Sequence, residues 1–380
     1  MNAYAIQPWR RRRFGTTVLA EPPDCRRATP TQVMATLRSA AAAMSKQQIT
    51  SLDVARLAAV SQSAVSRSFT PGASVAPETR ARVLEAARKL GYRPNAIART
   101  LSTRRSRMIA VVVSNLQNQF YPVVIETLSQ RLQKDGYHVL LFITEVEDAD
   151  ELLVELLSYQ VDGIVMASTM LSSSLAQQIA TARIPVVMFN RTSRAGSIST
   201  VSSDNHGGGK SVAHFLADAG HKRVAYLAGA EDSSTNHDRE HGLREGLAER
   251  GLRIVARAVG DYRFERAAHA THELFGALVA RGERPDALFV ASDHMAFAAI
   301  DTLRSELGLR VPQDVSVVGF DNVPQAEWGA YRLTTVAQCA GSMIEATVTM
   351  LLRQLEDDAV TRDHVVIPTQ LVVRASARLP

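Results

Sequence analysis

Between positions 51 and 90 the apolar residues recur at helical spacing. Val54 with Leu57 and Ala58 predicts a first helix over 51–58 with one small inward face. Val65 and Phe69, four apart, do the same for a second over 62–69. Val83, Ala87 and Leu90, with Leu84 beside them, give a third over 77–90 its apolar stripe. The punctuation agrees: Ser61 suits an N-cap, Pro77 a first helical turn, and Gly91 the residue just past a helix end. From Met108 the pattern changes to short apolar runs separated by helical stretches. Strands are expected at 108–114, 138–144, 162–168 and 185–190, then in a second series at 223–229, 286–292 and 315–320. Helices between them include 122–134, 207–219 and 295–307. The runs lack strict alternation, as parallel strands covered on both faces do. The predicted fold is therefore a small all-α helix-turn-helix domain joined to an α/β body. That body has two doubly wound parallel-sheet lobes, and its ligand site lies at the carboxyl ends of the strands.

Charge sharpens this division. Residues 1–107 hold 19 Lys and Arg against 5 Asp and Glu, whereas the remainder holds 24 against 33. A basic first quarter on an acidic body calls for an anionic partner, or else is a solvated arm. Two cysteines, Cys25 and Cys339, give neither a disulfide framework nor metal spacing. No apolar run is long enough to span a bilayer, so no membrane partner is expected. "RRRRF" followed by "GTTVLA" faintly resembles an export signal, but the apolar run is short and Glu21-Pro22-Pro23-Asp24 ends it. Residues 1–45 read instead as a disordered basic extension, with Met44 just ahead of the first regular pattern.

The second helix has the layout of a reader of base edges. Gln62, Ser63, Ser66 and Arg67 fall away from its apolar face and form a polar surface toward its N-terminus. Arg can fork onto a guanine edge and Gln onto an adenine edge. A plain helical hairpin with a solvated face has the same pattern. A segment beyond the third helix is more specific: in "PNAIARTLS", Asn95 can cap a short basic helix that exposes Leu101. A leucine there suits a wedge into a minor groove, or else packing on a neighbouring lobe.

With "SLDVARLAAVSQSAVSRSF", "VAPETRARVLEAARKLGYRPNAIARTLSTRRS" and "MIAVVV" the chain resembles the lactose/galactose repressor (LacI/GalR) family of bacterial transcription regulators. The body matches too, in "NQFYP", "VDGIV", "VSSDNHGGG", "RPDALFVASD" and "LRVPQDVSVVGFDN". The likeness runs from about Lys46 to the C-terminus. It implies a regulator, a repressor by preference, that binds a pseudo-palindromic operator as a homodimer and needs no cofactor. Recognition helices would enter the major groove and paired hinge helices the minor groove. On that basis Gln62, Ser63 and Arg67 read bases, Ser51, Ser61 and Ser66 meet phosphates, Asn95 caps the hinge and Leu101 is the wedge. The expected domains are 46–92 for DNA, 93–107 for the hinge, and 108–380 for effector binding and dimerisation. The N-lobe takes about 108–204 and 338–366, the C-lobe about 205–337 and 367–380. A cytoplasmic, nucleoid-associated protein is implied. Two departures stand out. Ala59 replaces the usual corner glycine, tolerable where the backbone is not left-handed, and Ala76 replaces a Ser or Thr cap.

The resemblance also implies a small effector in the inter-lobe cleft. Phe120 and Tyr121 offer aromatic faces there, Asp321 of "GFDN" an acceptor and Arg239 a fork of donors, with Asn190, Thr235, Tyr262 and Asp293 as further candidates. Ser233 stands where the purine-repressor branch has arginine, which favours a sugar or sugar acid over a purine. Two motifs are discounted. "HDREH" fits an inverted zinc-protease pattern, but a third ligand is not evident. "DNHGGGKS" would need glycine at Asp204 to be a phosphate loop; capping and close helix packing explain it better. The rival functions are a transporter's solute-binding protein, which has no use for residues 46–107, and a cleft enzyme, for which no nucleophile–base constellation is seen. The C-terminal "LVVRASARLP" carries no leucine heptads, so a dimer without a helical tetramerisation tail is expected.

Overall fold

The computed structural model describes residues 49–70, 72–93, 105–144, 156, 158–167, 178, 181, 183–192, 198–279, 282–357 and 361–380. The expected extension at 1–45, Asn95 and Leu101 lie outside these. The chain forms two compact units, divided after Asn95.

The first unit is three helices: α1 (Ser51–Ala58), α2 (Gln62–Ser68) and α3 (Pro77–Leu90). A reciprocal capping box starts α1. The Thr50 hydroxyl accepts from the Asp53 amide, while the Asp53 carboxylate accepts from the Thr50 amide. Ser61 caps α2 by accepting from the Ala64 amide at 3.2 Å. Ala76 makes no side-chain cap, so α3 begins on Pro77 alone. The core consists of Val54, Ala55, Ala58, Val65, Val83, Ala86 and Ala87, with the Phe69 and Tyr92 rings packed at a tilt, 5.9 Å apart. Two side chains expected inside are not. Leu57 and Leu84 are exposed, and Ala55 and Ala86 take the inward positions instead.

Ala59 also departs from expectation. It sits at φ 50° and ψ 52°, in the left-handed region that disfavours a Cβ by about 1–2 kcal/mol. Ala59→Gly is therefore expected to stabilise the helix-turn-helix unit by about 1 kcal/mol. Slower hydrogen exchange at the Val54 and Val65 amides in the full chain would report it; faster exchange would refute it.

The second unit holds two six-stranded sheets. The elements in chain order are β1 (Met108–Val113), α4 (Phe120–Lys134), β2 (His138–Ile143), β3 (Gly163–Ala167), β4 (Val186–Phe189), β5 (Ser199–Ser203), α5 (Asn205–Asp218), β6 (Val224–Ala228), α6 (Ser234–Ala248), β7 (Ile254–Val259), α7 (Phe264–Val279), β8 (Ala287–Val290), α8 (Asp293–Asp301), β9 (Ser316–Asp321), β10 (Thr334–Gln338), α9 (Ala340–Asp357), β11 (His364–Ile367) and β12 (Thr369–Val372). One sheet runs β11-β5-β4-β3-β1-β2 and is parallel throughout. The other runs β12-β10-β9-β8-β6-β7, with β12 antiparallel on its edge. The chain returns from β10 through α9 to β11 in the first sheet, then crosses back to β12. Each lobe is thus assembled from separate stretches of sequence.

All seven expected strands are present. β5, β7, β10, β11 and β12 are additional. Two of these, β5 and β10, are polar yet buried, and their hydroxyls are satisfied internally: Ser199 Oγ in β5 donates to Thr361 O at 2.8 Å, and Thr334 Oγ1 in β10 to Arg374 O at 3.1 Å. "DNHGGGKS" is the start of α5, capped by Asp204, whose carboxylate accepts from the Gly207 amide at 2.8 Å. Of its glycines, Gly209 gives α6 a close seat, since a Cβ there would lie 2.2 Å from Arg239 O.

Candidate functional sites

In the helix-turn-helix unit, Ser61, Gln62, Ser63, Ser66 and Arg67 are all exposed on one surface of α2. The capping Ser61 shares a hydroxyl–hydroxyl contact of 2.9 Å with Ser63. Gln62 Nε2 donates to Ser51 Oγ at 2.9 Å, which ties the start of α2 to α1 and leaves the Gln62 carbonyl free to turn outward. The Arg67 side chain makes no hydrogen bond or ion pair with another described residue, while its carbonyl accepts from the Thr70 amide at 3.1 Å. Behind this surface Arg80 donates to the Ser68 and Ala73 carbonyls, both at 3.0 Å, and so fixes the turn between α2 and α3.

In the body, the carboxyl ends of strands from both sheets meet around one small cavity. Asn115 and Asn118 follow β1, Tyr121 lies in the first turn of α4, and Asn190 and Arg191 follow β4. The facing lobe contributes Thr235, Arg239, Tyr262 and Asp321. The space left is about 20 Å³, room for about one water, so a sugar-sized ligand requires the lobes to part. Contacts between the lobes hold this closed arrangement. Asn115 Nδ2 donates to Tyr262 O at 3.1 Å, the Thr192 amide to Ser234 Oγ at 3.2 Å, and His294 Nδ1 lies 3.1 Å from Gln119 Oε1.

Arg239 is locked in place. Its Nε donates to Asn205 Oδ1 at 2.8 Å, its guanidinium lies over the Phe320 ring at 3.7 Å, and Asp321 is 3.8 Å away. Asp321 accepts from Gln338 Nε2 at 2.6 Å. Several cleft residues hold unfavourable backbone: φ is 56° at Asn190, 55° at Tyr262 and 134° at Asp321. Such conformations persist where the surroundings over-determine them, and they concentrate at functional sites. Gly229 makes the space for Tyr262; a Cβ there would lie 2.2 Å from the ring.

Two expected cleft residues lie elsewhere. Phe120 is in the N-lobe core, stacked on Phe189 at 6.3 Å, because it shares the i, i+4 ridge of α4 with Val124 and Leu128. Asp293 does not line the cavity either. As the first residue of α8 it turns inward, accepting from Thr335 Oγ1 at 2.5 Å and the Val323 amide at 3.0 Å, and so braces the loop after Asp321 from behind. Sequence reasoning missed Asn115, Asn118 and Arg191, although all three follow strand carboxyl ends.

Burial, followed by the nearby Asp321 charge, raises the Asp293 carboxyl pKa well above its ordinary value. Burial also raises Asp321, with Arg239 acting against it. A carboxyl raised in the folded state stabilises the fold fully below its unfolded pKa, and that stabilisation is lost as pH rises through the raised value. Asp293→Asn is thus expected to flatten the decline of melting temperature from mildly acid to neutral pH, and to melt higher than the parent at neutral pH. An unchanged profile in calorimetry would contradict this assignment.

A larger groove of about 820 Å³ lies between β7 and α7, lined by Ala256, Ala258, Leu274 and Leu278 among others. None of its lining residues holds a buried polar atom without a partner, whereas the cleft has three, on Asn190, Arg191 and Asp321. Convergent chemistry outweighs volume here. The "HDREH" stretch lies on α6, where His241 and Glu245 approach His206 with ligand atoms within 4.8 Å of one another. Lys210 Nζ holds Glu245 at 2.6 Å and Glu249 at 2.6 Å, so this cluster reads as an ion-pair ladder between α5 and α6.

Residues 50–95 match the model of bacterial regulatory proteins of the lacI family, and residues 213–377 that of a periplasmic binding protein-like domain. The chain is 33% identical to the HTH-type transcriptional regulator CelR of Thermobifida fusca over 333 residues, covering 85% of this chain and 96% of CelR. The chain belongs to the LacI family. Among solved structures it is similar to a CelR–cellobiose complex, with a TM-score of 0.66, 31% identity, and coverage of 87% of this chain and all of that one. It is also similar to a Lac repressor dimer bound to operator and the anti-inducer ONPF, with a TM-score of 0.77, 27% identity, and coverage of 87% and 99%. As a LacI-family member the chain is a DNA-binding transcriptional regulator and not an enzyme, which removes both rival functions. Among the described residues no helix is long and apolar enough to cross a membrane.

Proposed function

We propose that the chain represses transcription by binding a pseudo-palindromic operator as a homodimer, and that a polyhydroxy effector in the inter-lobe cleft controls this binding. Gln62, Ser63 and Arg67 read base edges, while Ser51, Ser61 and Ser66 meet phosphates. Asn95 and Leu101 are assigned to a hinge helix and its minor-groove wedge. The domain limits are 46–92 for DNA, 93–107 for the hinge, and 108–380 for effector and dimerisation, acting in the cytoplasm at the nucleoid. Asp321, Arg239, Asn190, Thr235, Tyr262 and Tyr121 form the effector site, with Asn115, Asn118 and Arg191 added to it.

One observation carries the cleft assignment. Asn190 Oδ1, Arg191 Nε and Asp321 Oδ2 are buried at one place without hydrogen-bond partners among the described residues. Each such atom costs about 1–3 kcal/mol, and ligand hydroxyls would satisfy donors and acceptors alike. A sugar or sugar acid has the matching chemistry. The CelR relative was solved with cellobiose, which supports this class.

The test is a thermal-shift screen of sugars and sugar acids on the full chain and on Asp321→Ala. A ligand that stabilises the parent by several degrees should lose that effect in the variant. It should also change operator affinity, with DNA changing ligand affinity by the same factor. Equal stabilisation of parent and variant would remove Asp321 from the site.

A further inference from the structure

The charges around the cleft do not balance. Two guanidiniums, Arg191 and Arg239, line it against one carboxylate, Asp321. Asp321 lies 3.8 Å from Arg239 and is the nearest counter-charge to that side chain. Arg191 is left over. It is 6% exposed, and no described carboxylate lies within 4.0 Å of it. Its Nη1 donates only to hydroxyls, those of Ser233 and Thr235, the latter at 3.2 Å. Among the described residues its Nε has no hydrogen-bond partner, and the Tyr262 ring lies 5.9 Å from the guanidinium carbon.

A guanidinium stays charged under all physiological conditions. Buried without a counter-charge among the described residues, it is a destabilising group that an incoming anion would neutralise. Neutral hydroxyls accept its hydrogen bonds without neutralising it. A carboxylate or phosphate does both, and matches the guanidinium fork in shape.

We propose that the effector carries an anionic group, seated on Arg191 between the Ser233, Thr235 and Tyr262 hydroxyls, with its polyhydroxy part toward Asn190 and Asp321. This rests on the cleft being the effector site. The Ser233 hydroxyl is central to it, lying 2.9 Å from Thr235 Oγ1 and 3.4 Å from the Tyr262 hydroxyl, so the three form one donor cluster beside the guanidinium. The neighbouring carboxyls do not oppose an incoming anion strongly. Burial raises the pKa of both Asp321 and Asp293, which reduces the negative charge they hold near neutrality. Ligands of this class are sugar acids and sugar phosphates.

Matched pairs test this by calorimetric titration of the full chain: D-gluconate against D-glucose, D-galacturonate against D-galactose, and D-glucose 6-phosphate against D-glucose. The first two pairs probe a carboxylate and the third a phosphate. In at least one pair the anion is expected to bind about tenfold or more tightly than its neutral partner. Arg191→Gln should weaken that anion by about 30-fold or more and leave the neutral partner unchanged. Arg191→Lys keeps the charge and should retain most of the preference, which separates loss of charge from loss of fold. Neutral members binding as tightly as their acids, with Arg191→Gln harmless, would overturn the anion while leaving the cleft reading intact. No binding by any member, in protein that melts cooperatively and binds DNA, would overturn both.

Discussion

Gly242→Ala is expected to destabilise the body by about 3 kcal/mol or more and to abolish effector binding. A Cβ on Gly242 would lie 2.0 Å from His206 O and 2.9 Å from the Lys210 amide. The partner glycine on α5 is as tight, since a Cβ on Gly209 would lie 2.2 Å from Arg239 O. These neighbours are backbone, so no rotamer change relieves the clash and α6 must move away from α5. Arg239 and Thr235 lie on α6, so the cleft is displaced with it. Gly341→Ala in α9 is the control. A Cβ there meets nothing within 4 Å, and alanine favours the helix by up to about 1 kcal/mol. Urea denaturation should show the first midpoint falling steeply and the second unchanged or raised. Equal behaviour of the two variants would show that the α5–α6 seat does not constrain the body.

Arg67→Ala should erase most of the discrimination between operator and random DNA. A bidentate arginine–guanine contact discriminates by about 1–3 kcal/mol per half-site, and a two-fold operator contains two. Arg67 is suited to that role because it is exposed beside Gln62 and Ser63 and its side chain has no partner among the described residues. Arg56 is a fair contrast, as it lies 3.7 Å from Asp53 on α1. Arg56→Ala should weaken all DNA slightly and leave preference intact. A specificity ratio unchanged in Arg67→Ala, measured at fixed salt, would remove α2 as the reader.

The parts of the molecule involved here were not equally legible in the sequence. The three short helices were, because periodicity, caps and the residues flanking their ends all agree. Their phase was less so: Leu57 and Leu84 looked inward and are exposed. The apolar strands of both lobes were legible too: β1, β3, β4, β6, β8 and β9 each bury four or more consecutive residues, which leaves a plain signal, while β2 keeps an apolar run although it is only partly buried at the sheet edge. β5 and β10 were not. "STVSS" and "TTVAQ" lack an apolar run, and their burial depends on hydrogen bonds to partners distant in sequence, such as Ser199 with Gln354 and Thr335 with Asp293, which sequence spacing does not show. The cleft divides in the same way. Asp321 and Arg239 follow from the strand-end rule and the family likeness. Arg191 does not stand out locally; its meaning comes from Ser233 and Thr235, which only the facing lobe supplies. Phe120 and Asp293 have the right chemistry and lie next to the cleft, but the phase of α4 and the inward turn of α8 take both away from it.

Selection of binding sites from a random duplex pool by the full chain tests the central claim most directly, namely that a ligand-controlled reader is formed by the surface of Gln62, Ser63 and Arg67. The account predicts enrichment of two related half-sites in inverted orientation. It predicts that affinity for them falls steeply with salt, as phosphate contacts require, and that preference at the bases facing Arg67 is lost in Arg67→Ala. A pool that remains random, or one enriched identically by the parent and Arg67→Ala, would contradict it.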